Sequence, residues 1–432
     1  MDFNESLSYL LSLGHETLAI KLGLRNTELL LETLGNPQHS FRSIQIAGTN
    51  GKGSTAVMVD AICQDARIRT GLFTSPHLVS ITERIKIAGI DISPEDFAAQ
   101  ATRVRAAADT LIFEKKLQSA PTFFEHLTAI AFLAFASANV ALAILETGLG
   151  GRLDSTTVAQ AEIVALTPIA MDHEEYLGHN LAEIGSEKAA IVRRGSSAVI
   201  APQKPEAMKV ILNRCGECDV APVSAAACTI ESRTDDGRFI ATFTGSNRQY
   251  RSVQVGLRGK HQTVNAATAI SLAEALNTIG FKISAESIIG GIEKAVHAGR
   301  LERRGKYLFD GAHNPSAAET LKDYLIEFEK TPITLIFGAM RDKNLSAMTA
   351  ALFRVASHVV LTQPDNPRAA SIQTLQGLAS EIGTANVSVT HSAAEALNKA
   401  NEVTSADGVI CVTGSLYLVG EIKALLLAAE FA

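Results

Sequence analysis

The segment Gly48-Thr49-Asn50-Gly51-Lys52-Gly53-Ser54 has the residue types of a loop that holds phosphate. Glycines let the backbone curl until successive N–H groups point at one anion. Lys52 adds an ammonium group that reaches β- and γ-phosphates, and the hydroxyl of Ser54 or Thr55 suits Mg²⁺. The apolar run Ser43–Ala47 precedes the loop and a helical pattern follows from Thr55. That order sets the loop at a helix N-terminus, where the backbone dipole favours an anion. The general pattern places the hydroxyl directly after the lysine; here Gly53 intervenes.

Other chemistry-bearing residues sit beside expected strand ends. Glu146 closes the apolar run ALAILE just before a Gly-rich stretch, and His173 follows the run Ile163–Thr167. In parallel sheets, ligands gather at the carboxyl ends of strands, so a carboxylate there suits a hard cation. His173 by itself reads as a polar loop residue, because Mg²⁺ prefers oxygen. Asp310 and His313 follow the run Tyr307–Phe309; the same loop, DGAHNP, can also simply cap the next helix. Lys188, in IGSEKAAIV, reads by itself as one residue of a solvated helix face. His261, Gln262 and Asn265 open a helical pattern, with 261 and 265 on one face. Arg300 precedes Glu302-Arg303-Arg304, a charge run that reads as solvated. Thr122-Phe123-Phe124-Glu125 offers aromatic faces and a carboxylate, which suit a flat ring rich in N–H donors, although Phe in a helix is more often core.

The elements that position these residues alternate. Expected strands are Ser43–Ala47, Leu142–Glu146, Ile163–Thr167, Ala198–Ala201, Tyr307–Phe309, Thr334–Phe337, His358–Thr362, Val387–Thr390 and Val409–Val412. Expected helices include Pro94–Glu114, Phe123–Ser137, Leu181–Arg193, Val264–Thr278 and Ala317–Phe328. Such alternation predicts an α/β fold with mainly parallel sheets covered on both faces. Residues 228–255 break it with strand-like runs and turns, which predicts a small antiparallel excursion on the first domain. We expect a phosphate-loop domain over residues 1–296, a linker at 297–305, and a smaller α/β domain over 306–432.

Composition narrows the class. The 432 residues are 47% hydrophobic and 19% charged, ample for buried cores. A net charge of −6 argues against a nucleic-acid binder, which carries a basic excess. No apolar run reaches the ~20 residues of a membrane span, and acidic residues follow Met1 where a leader would be basic, so a cytoplasmic protein without membrane partners is expected. Five cysteines, an odd number, give no disulfide scaffold; Cys215 and Cys218 read as two thiols near a helix end.

The strings AGTNGKGS (47–54), GLFTSPHLVSITERIKI (71–87), PTFFEHLTAIAF (121–132), ETGLGGRLDSTT (146–157), MDHEEYLG (171–178), EKAAIV (187–192), GKHQTVNAATA (259–269), GRLE (299–302), DGAHNP (310–315) and TGSLYLVGE (413–421) run in one order. Together they resemble the folylpolyglutamate synthase/dihydrofolate synthase family of the Mur-ligase superfamily, whose phosphate loop carries the extra glycine. Gln45, Ala190 and Ala298 depart from the family's habit without removing a group of obvious chemistry.

The resemblance implies a Mur-ligase central-type domain with a Rossmann-like C-terminal domain. It implies an ATP-dependent ligase joining L-glutamate to dihydropteroate or to the γ-carboxylate of a folate through an acyl phosphate, acting as a monomer with Mg²⁺, expected as two ions. It places Asn50, Gly51, Lys52, Gly53, Ser54, Asn265, Arg300 and Asp310 around ATP, with His313 near the γ-phosphate. Ser54, Ser75, Glu146 and His173 are implied as metal ligands, and Lys188 as a catalytic, carbamylated lysine. Thr122, Phe123, Phe124, Glu125, Leu153, Asp154, Ser155 and Ser415 are implied to surround the pterin. Two other classes share parts of this pattern: a cell-wall ligase adding an amino acid to a UDP-sugar peptide, and a nucleotide switch without ligase activity.

Overall fold

The computed structural model describes residues 1–14, 23–117 and 119–430. Its first sheet has eight strands: β1 (Arg42–Ala47), β2 (Thr70–Phe73), β3 (Ile85–Ile87), β4 (Ile90–Asp91), β5 (Leu142–Glu146), β6 (Ile163–Leu166), β7 (Ser197–Ile200) and β8 (Val223–Ser224). Their order is β4-β3-β2-β5-β1-β6-β7-β8. The six strands from β2 to β8 along that order are parallel, and only β3 and β4 run antiparallel to their neighbours.

Side-chain alternation explains why the central strands read as unbroken apolar runs. Leu142 and Ile144 enter a core with the helices Lys52–Asp65 and His261–Thr278. Ala143 and Leu145 point the other way, into a core with the helices Pro94–Phe113 and Phe123–Ser137. A strand buried on both faces has no polar side to show.

The excursion is β9 (Ala227–Arg233), β10 (Phe239–Thr244) and β11 (Gln249–Gln254), all antiparallel. Phe243, Tyr250 and Val253 pack it on the first domain. Its other end meets the helix Pro315–Phe328: Phe239 and Phe328 stack edge to face at 5.9 Å, and the Arg233 guanidinium lies 5.3 Å from the Phe328 ring.

The second sheet joins β12 (Glu302–Arg304), β13 (Tyr307–Phe309), β14 (Ile333–Phe337), β15 (His358–Leu361), β16 (Val387–Val389) and β17 (Val409–Thr413). Its order is β12-β13-β17-β14-β15-β16, parallel except for the β12–β13 pair. The segment 297–305 is therefore not all linker. Its charge run Glu302–Arg304 is an edge strand, and Glu302 is held by Lys423 at 2.6 Å. Cys215 lies in the last turn of the helix Pro205–Glu217 and Cys218 caps it, both buried with free thiols. Among the described residues no helix is long and apolar enough to cross a membrane.

Four-residue β2 sits beside β5, and a Cβ on its Gly71 would overlap the buried ring of Phe135. Gly71→Ala is expected to destabilise the protein by about 1–3 kcal/mol in urea unfolding through overpacking. The double variant with Phe135→Leu should recover part of the loss; equal stability of Gly71→Ala and the native protein would refute the close packing.

Candidate active site

The phosphate loop leaves β1 at its carboxyl end and enters the helix Lys52–Asp65 at Gly51, in a left-handed conformation (φ 90°). The N–H groups of Thr49 and Asn50 donate to the Pro168 carbonyl at 3.1 and 3.2 Å, tying the loop to the end of β6. Lys52 donates to the Thr49 carbonyl at 3.3 Å. Gly53 has a separate reason to be glycine: a Cβ there would stand 2.9 Å from His297 Cε1 and 3.3 Å from Glu146 Oε2. The inserted glycine is thus the point where the loop's helix meets the Glu146 carboxylate.

Glu146 ends β5, buried, and accepts a hydrogen bond from the Ser75 N–H at 3.1 Å. Ser54 contributes its hydroxyl nearby, engaged by His297 Nδ1 at 3.1 Å and Gln262 at 3.4 Å. Among the described residues no three His, Cys, Asp or Glu side chains make a ready cage for a metal. A carboxylate and a hydroxyl beside a phosphate loop do fit Mg²⁺, which takes one or two protein oxygens and completes its shell with phosphate and water.

His173 begins the short helix Glu174–Leu177 with positive φ (51°). Burial pushes its imidazole down to about 3, so the ring is neutral. Its neighbour Asp172, which sequence reasoning gave no role, is the centre of a network. It accepts from Lys343 Nζ at 2.6 Å, from Asn314 Nδ2 at 3.1 Å and from the His173 N–H at 2.9 Å, and His313 Nε2 lies 3.6 Å away. Burial alone would raise the Asp172 carboxyl. Hydrogen bonding to the facing His313 and the charge of Lys343 outweigh it and hold it well below the usual carboxylate range. Lys343, Asn314 and His313 all belong to the second domain. Asn314 also donates to Asn50 of the phosphate loop at 3.0 Å.

Lys188 does not lie on a solvated helix face. Its helix, Leu181–Ala189, turns it inward, where it is 4% exposed and donates to the Gly48 carbonyl at 2.8 Å. Burial, then the charge of Lys52, pushes its amine down to about 7. A signal was present in the sequence: Ile184 and Lys188 are spaced i, i+4 and both are buried.

From the second domain, Asp310 is buried and accepts from the Leu301 and Ala312 N–H groups at 3.0 Å each; burial raises its carboxyl. Arg300 donates to the Gly311 carbonyl at 3.3 Å, and His313 Nδ1 meets the same carbonyl at 2.7 Å. Asn265, in the helix His261–Thr278, is bonded to Gln262 at 2.8 Å, and a Cβ on Gly51 would overlap its Oδ1.

On the far side, Thr122 and Glu125 close a capping box at the head of the helix Phe123–Ser137, and the Glu125 carboxylate accepts the Thr122 N–H at 2.6 Å. Thr27 bridges towards Ser155 at 3.2 Å. Asp154, fully buried with a raised carboxyl, accepts the Leu149 N–H at 3.0 Å and so shapes the loop after Glu146.

The phosphate loop, Glu146, Asp172, His173, Lys188, Asn265, Arg300, Asp310, His313, Lys343, Thr122, Glu125, Asp154 and Ser155 line one cavity of about 430 Å³, together with Ser75, Phe124, Leu153 and Ser415. Phe123 is the exception among the sequence candidates. Adjacent positions on a helix face different ways, and Phe123 turns into the core, with the Arg84 guanidinium 5.5 Å from its ring. The cavity is closed on one side by the first sheet's strand ends and on the other by the loops after β13 and β17.

Comparisons with known proteins place this arrangement among the Mur ligases. A family model described as "Mur ligase middle domain" matches residues 46–273, and one described as "Dihydrofolate synthetase, C-terminal domain" matches 294–427. The dihydrofolate synthase/folylpolyglutamate synthase of Bacillus subtilis is 34% identical over 420 residues, covering 95% of this chain and 96% of its own. Mycobacterium tuberculosis folylpolyglutamate synthase, solved with ADP and AMPPCP, superposes with a TM-score of 0.89 at 33% identity, covering 98% of this chain and 99% of that one. A bifunctional folylpolyglutamate synthase/dihydrofolate synthase with Mn, AMPPNP and L-glutamate bound gives a TM-score of 0.84 at 27% identity over 99% and 98%. The chain belongs to the dihydrofolate synthase/folylpolyglutamate synthase family.

The state of Lys188 can be tested without catalysis. Its folded pKa of about 7 lies below the 10.5 of an unperturbed lysine, so the unfolded chain binds more protons between those values. The cost of burying the charge is complete below pH 7 and disappears as pH rises towards 10.5. In CO₂-free buffer, Lys188→Met should therefore gain melting temperature over the native protein at pH 6.5, with the gain shrinking towards pH 10. A difference independent of pH would refute a depressed Lys188.

Proposed function

We propose that the protein is an ATP-dependent ligase that joins the α-amine of L-glutamate to the carboxylate of dihydropteroate, giving dihydrofolate, or to the γ-carboxylate of a folate, giving polyglutamates. The observation that carries this reading is one cavity in which a phosphate loop, a buried carboxylate beside it and cations from a second domain meet an aromatic–carboxylate pair, Phe124 and Glu125. That pair suits the flat pterin ring, with its amino-pyrimidine N–H donors, better than a UDP-sugar peptide.

A carboxylate is a poor acyl donor because its leaving group would be oxide. In the first step a carboxylate oxygen attacks the γ-phosphorus of ATP, the bond to ADP breaks, and an acyl phosphate forms. In the second, the neutral amine of glutamate attacks the acyl carbon, phosphate leaves with the carbon–oxygen bond electrons, and the amine gives up a proton. Both steps crowd anions together, so the site must supply positive charge. The N–H groups at the start of the helix Lys52–Asp65 and the Lys52 ammonium hold the phosphates. Arg300 and His313 approach from the second domain, Asp310 fixes the Leu301 and Ala312 backbone around them, and Asn265 stands beside the loop where the nucleotide base would lie.

Glu146 with Ser54, Ser75 and His173 would hold Mg²⁺, which would supply further positive charge to the phosphates. Lys188, with its amine near neutrality, is set up to add CO₂. Its nitrogen bonds the carbon, one proton is lost, and the resulting carbamate is an anion suited to a second Mg²⁺. Thr122, Phe124, Glu125, Leu153, Asp154, Ser155 and Ser415 surround the acceptor. The protein acts as a monomer.

Protein, ATP, dihydropteroate and glutamate incubated together should yield dihydrofolate and ADP; no ligated product from dihydropteroate or from any folate would overturn the reading. Lys52→Ala should lower kcat at least about 10²-fold with the fold intact, as loss of a transition-state charge partner does. Glu146→Gln should shift the Mg²⁺ dependence of the reaction to higher concentration, and an unchanged titration would remove Glu146 from the metal site.

A further inference from the structure

Residues 74–84 form a loop that touches three parts of the molecule. Near its start, the Ser75 N–H is bonded to Glu146 at 3.1 Å. In its middle, Leu78 leaves the first domain and packs against an apolar cluster of the second, which includes Phe309, Leu418, Val419 and Ile422. At its end, the buried Arg84 guanidinium faces the Phe123 ring, at the head of the acceptor-side helix.

The loop is stiff. The Glu83 carboxylate accepts from the N–H groups of Leu78, Val79 and Ser80 at 2.8, 2.9 and 2.8 Å. The Thr74 N–H donates to the Arg84 carbonyl at 3.0 Å, and Arg84 Nε donates to His77 Nδ1 at 2.8 Å.

Two glycines make the contact with the second domain possible. A Cβ on Gly420 would overlap the Leu78 carbonyl oxygen, and one on Gly299 would stand 3.0 Å from Leu78 Cδ1. Gly420 lies inside the helix Leu416–Glu430, where glycine is unfavourable relative to alanine. Room for Leu78 is what that position gains in return.

We infer that Leu78 is a positioning residue for ligation: it seats the second domain against the stiff 74–84 loop, in the register that brings Arg300, Asp310 and His313 over the phosphate loop while Ser75 stays on Glu146. This rests on the ligase reading above. Because the loop is cross-bonded from end to end, the second domain cannot shift at Leu78 without disturbing Ser75 on one side and Arg84 on the other. The register also keeps water from the acyl phosphate. If water reaches it, water attacks the acyl carbon, phosphate leaves and the acceptor carboxylate is regenerated, so ATP and water become ADP and phosphate with no ligation.

The test compares ADP and ligated product in the full-length native protein, Leu78→Ala, Gly420→Ala and the volume-conserving Leu78→Met, with thermal melts of each. Both alanine variants should lose about tenfold or more in ligation kcat, as small misplacements of reacting groups do. ADP formed per ligated product should rise several-fold in both, while KM for ATP stays within about twofold because the phosphate loop is untouched. Leu78→Met should keep native coupling. An unchanged ADP-to-product ratio in both alanine variants would overturn the inference, including the case in which activity falls only in step with the folded fraction seen in the melts. Native protein that forms no ligated product would overturn the ligase reading and this inference together, whereas native ligation with fully coupled variants would overturn this inference alone.

Discussion

A buried carboxylate must find partners, and Asp172 finds most of its partners on the other domain. Lys343, Asn314 and the facing His313 converge on it from beyond residue 312, and Asn314 reaches past it to Asn50. Removing one member of such a buried pair strands the other charge, at a cost of about 3–5 kcal/mol. The relative position of the two domains is thereby tied to a residue one step before His173 and two sheets' worth of loops. The rest of the cavity follows from it, because Arg300, Asp310 and His313 share it with the phosphate loop only when held opposite that loop.

Much of this was legible in the sequence. Strands buried on both faces leave unbroken apolar runs, so Leu142–Glu146 and Tyr307–Phe309 were placed to the residue, and the ends of the others fell within a residue or so. Short β2 escaped because Gly71 interrupts its run, and β12 was hidden in charges that an edge strand tolerates on its open side. The phosphate loop was visible from its glycines, lysine and context. The reason for Gly53 was not, since it lies in contacts with His297 and Glu146, residues far away in the chain. Asp172, Lys343 and Asn314 were missed for the same reason: each is an ordinary polar residue until the two domains are brought together. Residue type alone reads Lys188 as solvated, since lysines are rarely buried, and Phe123 turns away from the cavity because an aromatic beside a cavity-lining residue need not share its direction.

The site also shows where the fold accepts instability. Lys188, Asp154 and Asp310 are ionisable groups with almost no exposure, and burial works against the charged form of each. Asp154 and Asp310 are compensated by backbone N–H groups from their own loops, which makes them braces for those loops. Among the described residues Lys188 donates to the Gly48 carbonyl and to no carboxylate, and burial pushes its amine down to about 7. Residues kept in such a condition are more readily explained by chemistry than by packing.

The two domains are joined by contacts of unlike character. Around Asp172 the contact is ionic and polar, whereas Phe239, Tyr324 and Phe328 make an aromatic one between the antiparallel excursion and the second domain. Dissolved salts act on these to different degrees: a buried ion pair such as Lys343–Asp172 is screened little, while strongly hydrated anions such as sulfate strengthen the burial of apolar surface. Added sulfate therefore tightens the aromatic fastening and leaves the buried ionic one almost as it was.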